Sequence, residues 1–508
     1  MPDEVQLGAS PLRRDQVLAV TRGHAPVMID EVAQRNIAGA RKHVAALAEA
    51  TRPTYGVSTG FGALAVRHIP ADRRADLQRS LIRSHAAGAG PAVEPEVVRA
   101  LMLLRLRTLT TGHTGVGPGT AATLAALLNA GITPVVHEYG SLGCSGDLAP
   151  LAAVALALMG EGEVFDAAGH RVPAADALRV VGIEPITLAE KEGLALTNGT
   201  DGMLGMLVLA VADLRRLLDI ADLTAAMSVE ALLGTDRAFA EDLQALRPHP
   251  GQAVSARRMR DVLAGSEIVA SHRGPDCPRV QDAYSLRCAP QVHGAARDTL
   301  AHAELVADRE LAAAIDNPVV LADGRVESNG NFHGAPIAYV LDFLAITVAD
   351  VASIAERRTD RMLDIARSHG LPAFLAADPG VDSGHMIAQY TQAAIVSELK
   401  RLAVPASVDS IPSSAMQEDH VSMGWSAARK LRRGIDGLTT VLAIELLTAA
   451  RALDFRAPLR PAPVTAAIRD LLRTRVAGPG PDRHLAPEIA AAEELVASGA
   501  VLDCLEER

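Results

Sequence analysis

Aromatic side chains make up only 3% of this 508-residue chain, with one tryptophan, five tyrosines and seven phenylalanines. With long Ala/Leu/Arg/Glu stretches beside that scarcity, composition favours closely packed helices over β-sandwich cores. Cysteine is also sparse. Cys144, Cys277, Cys288 and Cys504 are widely spaced and form no CxxC pair, which argues against a disulfide framework and a structural zinc site and fits a reducing cytoplasm. No HExxH occurs, and Asp419-His420 has no further ligands at metal-binding spacing, so no metal is expected. The GVGPG run at Gly115 to Gly119 lacks a preceding strand and the spacing of a dinucleotide fingerprint, so it reads as a loop. No concentrated basic face accompanies the formal net charge of −11, which argues against a nucleic-acid partner. The N-terminus lacks the basic-then-apolar order of a signal peptide. No apolar run reaches the roughly 18 to 20 residues of a membrane span, and a soluble protein is expected.

What is present is helical pattern. At 49% hydrophobic content the chain is long enough for a large core or two fused ones. An amphipathic helix is expected from Ile29 to Thr51, ended by Pro53, with others at 75 to 88, Glu96 to Thr110, Ala121 to Leu128 and Leu148 to Met159. Neither Gly nor Pro interrupts Met206 to Leu233 or Ile337 to His369, and at about 1.5 Å per residue the second could reach roughly 50 Å. Ala295 to Ala314, His385 to Ala403 and Ser422 to Arg456 continue the pattern, which predicts a mainly α protein with a bundle of long helices. A domain of residues 1–205 is expected to precede a long-helix domain of residues 206–508, the latter ending in a loop-rich helical segment.

One stretch invites chemistry. In Gly140-Ser141-Leu142-Gly143-Cys144-Ser145-Gly146-Asp147-Leu148-Ala149-Pro150, Gly146 presents an unhindered backbone nitrogen, and the glycines allow a turn tight enough for it to reach the carbonyl carbon of Cys144. Closure there, with loss of one water at the ring and a second from Ser145, would leave an imidazolone bearing an exposed methylidene carbon. Taken alone, the stretch favours a simpler reading, a Gly/Ser turn before a helix N-capped by Asp147.

The stretch GSLGCSGDLAPLA resembles the signature of the histidine and aromatic amino acid ammonia-lyases, whose 4-methylidene-imidazol-5-one (MIO) group forms from three consecutive residues. Here these are Cys144, Ser145 and Gly146; the family more often has Ala at the first position. Further motifs follow in family order: Tyr55 to Gly62 as YG-x-x-TGFG, Leu196 to Thr200 as LxNGT, Gln281 to Gln291 as QD-x-YSLRC-x-PQ, Gly330 to Phe332 as GNF, and Gln417 to Asp419 as QED. The resemblance runs from about residue 50 to residue 456. It implies a fold of the fumarase/aspartase-like superfamily with a smaller, loop-rich N-terminal MIO domain. The Ser-containing loop of the fumarase-like lyases themselves is absent.

The resemblance also implies roles. Tyr55 falls on the catalytic tyrosine and is the first choice for the base that removes the β-proton, with Glu418 as competitor. A phenol must be held well below its usual pKa of about 10 to do this at neutral pH. Arg287 suits the substrate carboxylate through its planar fork, and Asn198 adds a contact. Tyr284 and Gln281 fall near ring and substrate, and Phe332 among the substrate-binding residues. Ser84-His85 resembles the histidine-specific members, and His85 with Glu418 would serve both nitrogens of an imidazole. An apolar phenyl ring would leave those groups unsatisfied, at about 1 to 3 kcal/mol each. The expected reaction is elimination of ammonia from L-histidine to give trans-urocanate, with no metal or nucleotide. Alternatives are a tyrosine or phenylalanine lyase, a 2,3-aminomutase on the same scaffold, or, more distantly, a non-catalytic helical assembly protein. A cytoplasmic homotetramer whose active sites combine loops from three chains is implied, with no nucleic-acid or membrane partner.

Overall fold

The computed structural model describes residues 4–8, 10–50, 54–60, 64, 66–274, 277 and 279–505. Helices dominate, and the described strands are short, in three pairs and one set of three. The chain divides into two compact units, the first of Met1–Leu209, Ala303–Asp342 and Pro405–Arg429, the second of Ala210–His302, Phe343–Val404 and Lys430–Arg508.

The first unit carries all the described strand pairings. Val5–Leu7 runs parallel to Val27–Ile29, while Ala89–Ala92 pairs antiparallel with His137–Tyr139. Three antiparallel strands at Thr133–Pro134, Glu163–Phe165 and Arg171–Pro173 and a pair at Val319–Val320 and Val326–Glu327 complete the set. Its central helix, Pro95–Thr110, is buried along nearly its whole length, arginines included. Burying a guanidinium without partners is costly. Arg99 therefore donates to the carbonyls of Val20 and Leu128, a use for charge that an amphipathic pattern does not announce.

The helix expected from Ile29 runs Glu31–Glu49, started by Asp30, whose carboxylate accepts from the Ala33 amide at 2.7 Å. Its expected stop at Pro53 lies outside the described residues, as do Phe61 and Gly62 of the glycine loop. Glycine misleads further on. The helix expected from Met206 begins at Asp201 and passes straight through Gly202 and Gly205 to Ala231. A Cβ at Gly202 would stand 2.4 Å from the Trp425 ring, and one at Gly205 2.7 Å from the Ala100 side chain. Here glycine permits close approach, and the roughly 1 kcal/mol it costs a helix is accepted for packing.

In the second unit Met386–Leu402 and the greater parts of the long helices Asp201–Ala231, Ala289–Leu311, Ala335–Leu363 and Gly424–Asp454 supply most of the structure. At 31 residues, Asp201–Ala231 and Gly424–Asp454 are each about 46 Å long. Charge is built into this core in pairs. Arg358 and Glu445, both fully buried, meet at 3.0 Å, and Glu445 also accepts from Thr224 and Ser228 at 2.8 Å. Asp222 takes His293 at 2.8 Å and Arg297 at 2.6 Å. One sequence expectation is corrected here: Ala335–Leu363 is long and apolar enough to cross a membrane by length and composition alone. Its most apolar window is 61% buried inside the protein, so core packing accounts for the composition.

His385, 4% exposed and 3.2 Å from the Thr448 hydroxyl, makes the second unit sensitive to acid. Burial, then the charges of Arg451, Arg473 and Arg483, push its pKa down to about 3, against a weaker opposing pull from Asp482. An unfolded histidine binds a proton near pH 6.5 that the folded one refuses, so stability is full above that pH and lost as pH falls. In urea titrations from about pH 4 to pH 7, His385→Gln should flatten the wild-type loss by up to about 1.4 kcal/mol per pH unit. An unchanged slope in the variant would rule this source out.

Candidate active site

The site is built on the turn that precedes the apolar helix Leu148–Leu158. Gly143 and Gly146 have φ of +69° and +81°, values that disfavour any side chain. Neither has room for one: a Cβ would stand 2.1 Å from the Ser422 hydroxyl at Gly143 and 1.9 Å from the Gly199 carbonyl oxygen at Gly146. Gly146 and Gly199 form an isolated parallel bridge, and the Asp147 amide donates to Gly199 O at 2.7 Å. Ser422 donates to Gly143 O at 3.2 Å, and Met423 N to Leu142 O at 3.0 Å.

Asp147 stands at the N-cap position of Leu148–Leu158 but makes no side-chain cap there. Its carboxylate instead accepts from Ser141 Oγ at 2.8 Å and from the amides of Gly202 and Met203, both at 2.9 Å. It thus satisfies the free amides at the start of the other helix, Asp201–Ala231. Burial pushes its pKa up to about 7, although these bonds pull it down. Two helices therefore begin beside Cys144 to Gly146, and their positive ends favour negative charge there.

On the far side of Cys144, Val421 and Met423 pack against its side chain. Its thiol hydrogen-bonds the carboxylate of Glu418, which also acts electrostatically on His85. Glu418 is half-buried, accepts from Ser413 Oγ at 3.1 Å and is held in a backbone bridge to the same residue. Between them Ser414, Ala415 and Met416 all have positive φ, of 51°, 52° and 70°. Three consecutive left-handed residues other than glycine mark a strained turn, a recurrent feature of functional sites. His85 ends the Arg74–His85 helix, with Nδ1 3.1 Å from Ser84 Oγ. Burial lowers its pKa, while the Leu81 carbonyl and Glu418 oppose this, so the neutral imidazole is favoured.

Asn198 is buried, with Nδ2 donating to Leu194 O at 2.9 Å and its own carbonyl taken by Arg105. Tyr55 is half-buried in a turn whose Val57 packs with Ala40, Val44 and Val320. The adjoining Gly56, with φ of +75°, has the Leu194 side chain 2.8 Å from where a Cβ would stand. Phe332 is half-buried in the turn before Ala335–Leu363, and the next residue, His333, stacks on His420 with ring centres 5.6 Å apart. Gln281, Tyr284 and Arg287 belong to the second unit. Tyr284 is 72% exposed, with the Arg287 guanidinium 4.7 Å above its ring, and Arg287 Nε donates to Asp282 O at 2.9 Å.

The first unit thus joins Cys144, Glu418 and His85 in one group and Gly146 with the Asn198 turn in another. Sequence reasoning missed Ser141 and Ser422 as supports of the turn, and it gave Asp147 to the wrong helix. Ser141 and Asp147 stand inside the quoted signature, whereas nothing in the chain order of Ser422 marks it. Among the described residues no group of three or more His, Cys, Asp and Glu side chains could hold a metal ion. An imidazolone closed between Cys144 and Gly146 fits the turn: it needs a third residue without a side chain, and the Gly199 carbonyl stands where a Cβ would be.

The aromatic amino acid lyase family profile matches residues 12–474. The histidine ammonia-lyase of Streptomyces avermitilis is 66% identical over 99% of this chain and 98% of its own. The crystal structure of histidine ammonia-lyase from Trypanosoma cruzi superposes with a TM-score of 0.91 at 38% identity, covering 99% of this chain and 95% of that one. Tyrosine aminomutase from Streptomyces globisporus gives 0.92, also at 38% identity, over 99% and 98%.

The Cys144 thiol is 8% exposed, and burial, followed by the charge and hydrogen bond of Glu418, pushes its pKa up to about 12. At about pH 8 it carries almost no thiolate, the form that alkylates. Iodoacetamide should label the partly exposed Cys277, Cys288 and Cys504 first, and Cys144 only after denaturation. Peptide mass mapping against time checks the order, and early labelling of Cys144 would contradict it.

Proposed function

The chain belongs to the aromatic amino acid lyase family, and from that premise we propose that it eliminates ammonia from L-histidine to give trans-urocanate, using an MIO electrophile closed from Cys144, Ser145 and Gly146. The observation that carries the substrate assignment is that the Glu418 carboxylate acts on both the Cys144 thiol and the His85 imidazole. A substrate imidazole needs a partner at each nitrogen, and a carboxylate with a neutral imidazole supplies both. The 66% identical relative bears the same substrate in its name. Fold does not separate histidine lyases from tyrosine aminomutases, since both superpose equally well, so the reading rests on the Ser84-His85 and Glu418 pair.

When formed, MIO supplies an electrophilic carbon that makes the substrate amine a better leaving group. The chain's own residues do the rest. Tyr55 is the proposed base for the β-proton, with Glu418 as the competing candidate. To act as base the Tyr55 phenol must give up its proton, which positive helix ends or a nearby cation would favour. Arg287 takes the substrate carboxylate with Asn198 adding a contact, Tyr284 and Gln281 flank the ring, and Phe332 lines the substrate. The exposure of Tyr284 suits a residue that completes a neighbouring chain's site, in line with a homotetramer sharing active sites among three chains. No disulfide joins the four cysteines, which suits a reducing cytoplasm.

Intact mass is the direct test of the electrophile. The mature chain should be lighter than its sequence by two waters, localised to the peptide holding Cys144 to Gly146, and Ser145→Ala should keep its mass and lose nearly all turnover while remaining folded. An unmodified mass in active enzyme would sink the proposal. Competition between histidine, tyrosine and phenylalanine should yield urocanate fastest; faster coumarate or cinnamate, or any β-amino acid, would refute the substrate and leave the electrophile standing.

Assembly should be required for turnover. Sedimentation under assay conditions should find activity only in the tetramer, and a fully active monomer would rule out shared sites.

A further inference from the structure

Behind the Gly199 peptide lies a group of fully or nearly fully buried charges. Arg105 is 0% exposed, Lys191 0%, Asp316 1% and Asp201 5%. Arg105 reaches forward from the buried Pro95–Thr110 helix and donates to three backbone carbonyls. One terminal nitrogen takes Asn198 O and, at 3.3 Å, Ala195 O; the other takes Ile315 O at 2.8 Å. Its Nε faces Asp201 Oδ2 at 3.5 Å. Next to Ile315, Asp316 is held by Lys191, whose ammonium bonds Asp316 Oδ2 at 2.5 Å and Thr114 O at 2.7 Å. Segments far apart in sequence, 195–201 and 315–316, are thereby tied to one planar fork.

Gly199 is caught between this fork and the ring-forming turn. A Cβ there would lie 2.3 Å from Asp201 Oδ2 and 3.0 Å from each terminal nitrogen of Arg105. Its carbonyl oxygen, on the other side, is the atom that would collide with a side chain at Gly146, and it accepts the Asp147 amide. Guanidinium, glycine peptide and ring-forming segment therefore follow one another with no side chain between them. Three carbonyls held by one rigid group give the Gly199 peptide little freedom to retreat.

We infer that Arg105 is a positioning residue for ring closure: by holding the carbonyls of Ala195, Asn198 and Ile315 it fixes the Gly199 peptide that confines Gly146, and so keeps the Gly146 nitrogen close to the Cys144 carbonyl carbon. The inference rests on the MIO reading. In closure a bond forms between that nitrogen and that carbon. The Cys144 carbonyl oxygen leaves as water with the protons of the Gly146 and Ser145 nitrogens, and a second water takes the Ser145 hydroxyl and its Cα hydrogen. No external reactant is required. Arg105 touches none of these atoms and acts through Gly199 alone.

The test compares the full-length wild type, Arg105→Lys and Asp201→Asn by intact mass, circular dichroism and turnover per cyclised chain. Lysine keeps the charge but offers one nitrogen in place of a fork that spans three carbonyls, whereas Asp201→Asn removes the charge that faces Nε and aims the fork at those carbonyls. Arg105→Lys should fold, yet most of its chains should be two waters heavier than the wild type, with turnover falling in proportion to the cyclised fraction. Fully cyclised Arg105→Lys chains would overturn the inference. Should that variant not fold, Asp201→Asn decides: a slower loss of the two waters after synthesis supports the role, and a wild-type time course overturns it. A wild type that never loses the waters would instead defeat the MIO reading itself, a separate outcome.

Discussion

The carboxylate of Asp147 is the joint on which the reactive part of the first unit depends. It is fully buried, lies directly after Cys144 to Gly146 and binds Ser141 and the leading amides of a 31-residue helix. A buried acid is tolerable only where its lone pairs are used, and here they are used to hold a turn against a helix start. At the same helix start Gly202 lies against the Trp425 ring, and the Met203 sulfur fills the space a Cβ would need at Gly334 and Gly424. Loss of this joint would leave helix amides unsatisfied and release the turn at once, so the architecture has little tolerance at this point.

Burial of charge is the common device of both units, with different results. In the second, pairs such as Arg358 with Glu445 and Asp222 with His293 and Arg297 lie among long helices, where breaking one partner is far costlier than the pair is stabilising. In the first, the buried cations Arg99 and Arg105 serve backbone carbonyls. Arg99 satisfies carbonyls at the ends of the helices Arg14–Thr21 and Pro118–Asn129, whereas Arg105 holds Asn198 and Ile315, in segments that no repeating hydrogen-bond ladder would fix.

The helical class and the long uninterrupted helices were legible in the sequence, because period and composition are local properties. Gly202 and Gly205 were not: read locally they stop a helix, and only the Trp425 ring and Ala100 across from them explain why they do not. Asp147 was assigned to the helix it precedes, since sequence order shows the nearest amides and hides those of Gly202 and Met203. The apolar length of Ala335–Leu363 was underestimated because Asp342, Asp350 and Glu356 punctuate it, although Asp342 and Glu356 are buried in the fold. Arg105 gave no signal, being one arginine among several in a helix that reads as ordinary. The returns of Ala303–Asp342 and Pro405–Arg429 to the first unit likewise leave no local mark.

Trp425 is the single tryptophan of the chain. It is 2% exposed, donates its indole N–H to Glu138 O at 2.7 Å and lies against Gly202, whose amide is bound by Asp147. Every photon of tryptophan emission from one chain therefore originates beside the helix start that Asp147 holds. The intrinsic fluorescence of this protein is in effect a label already installed at the joint made by Asp147: red shift and quenching would report solvent entry or rearrangement there, free of the background that several tryptophans would bring.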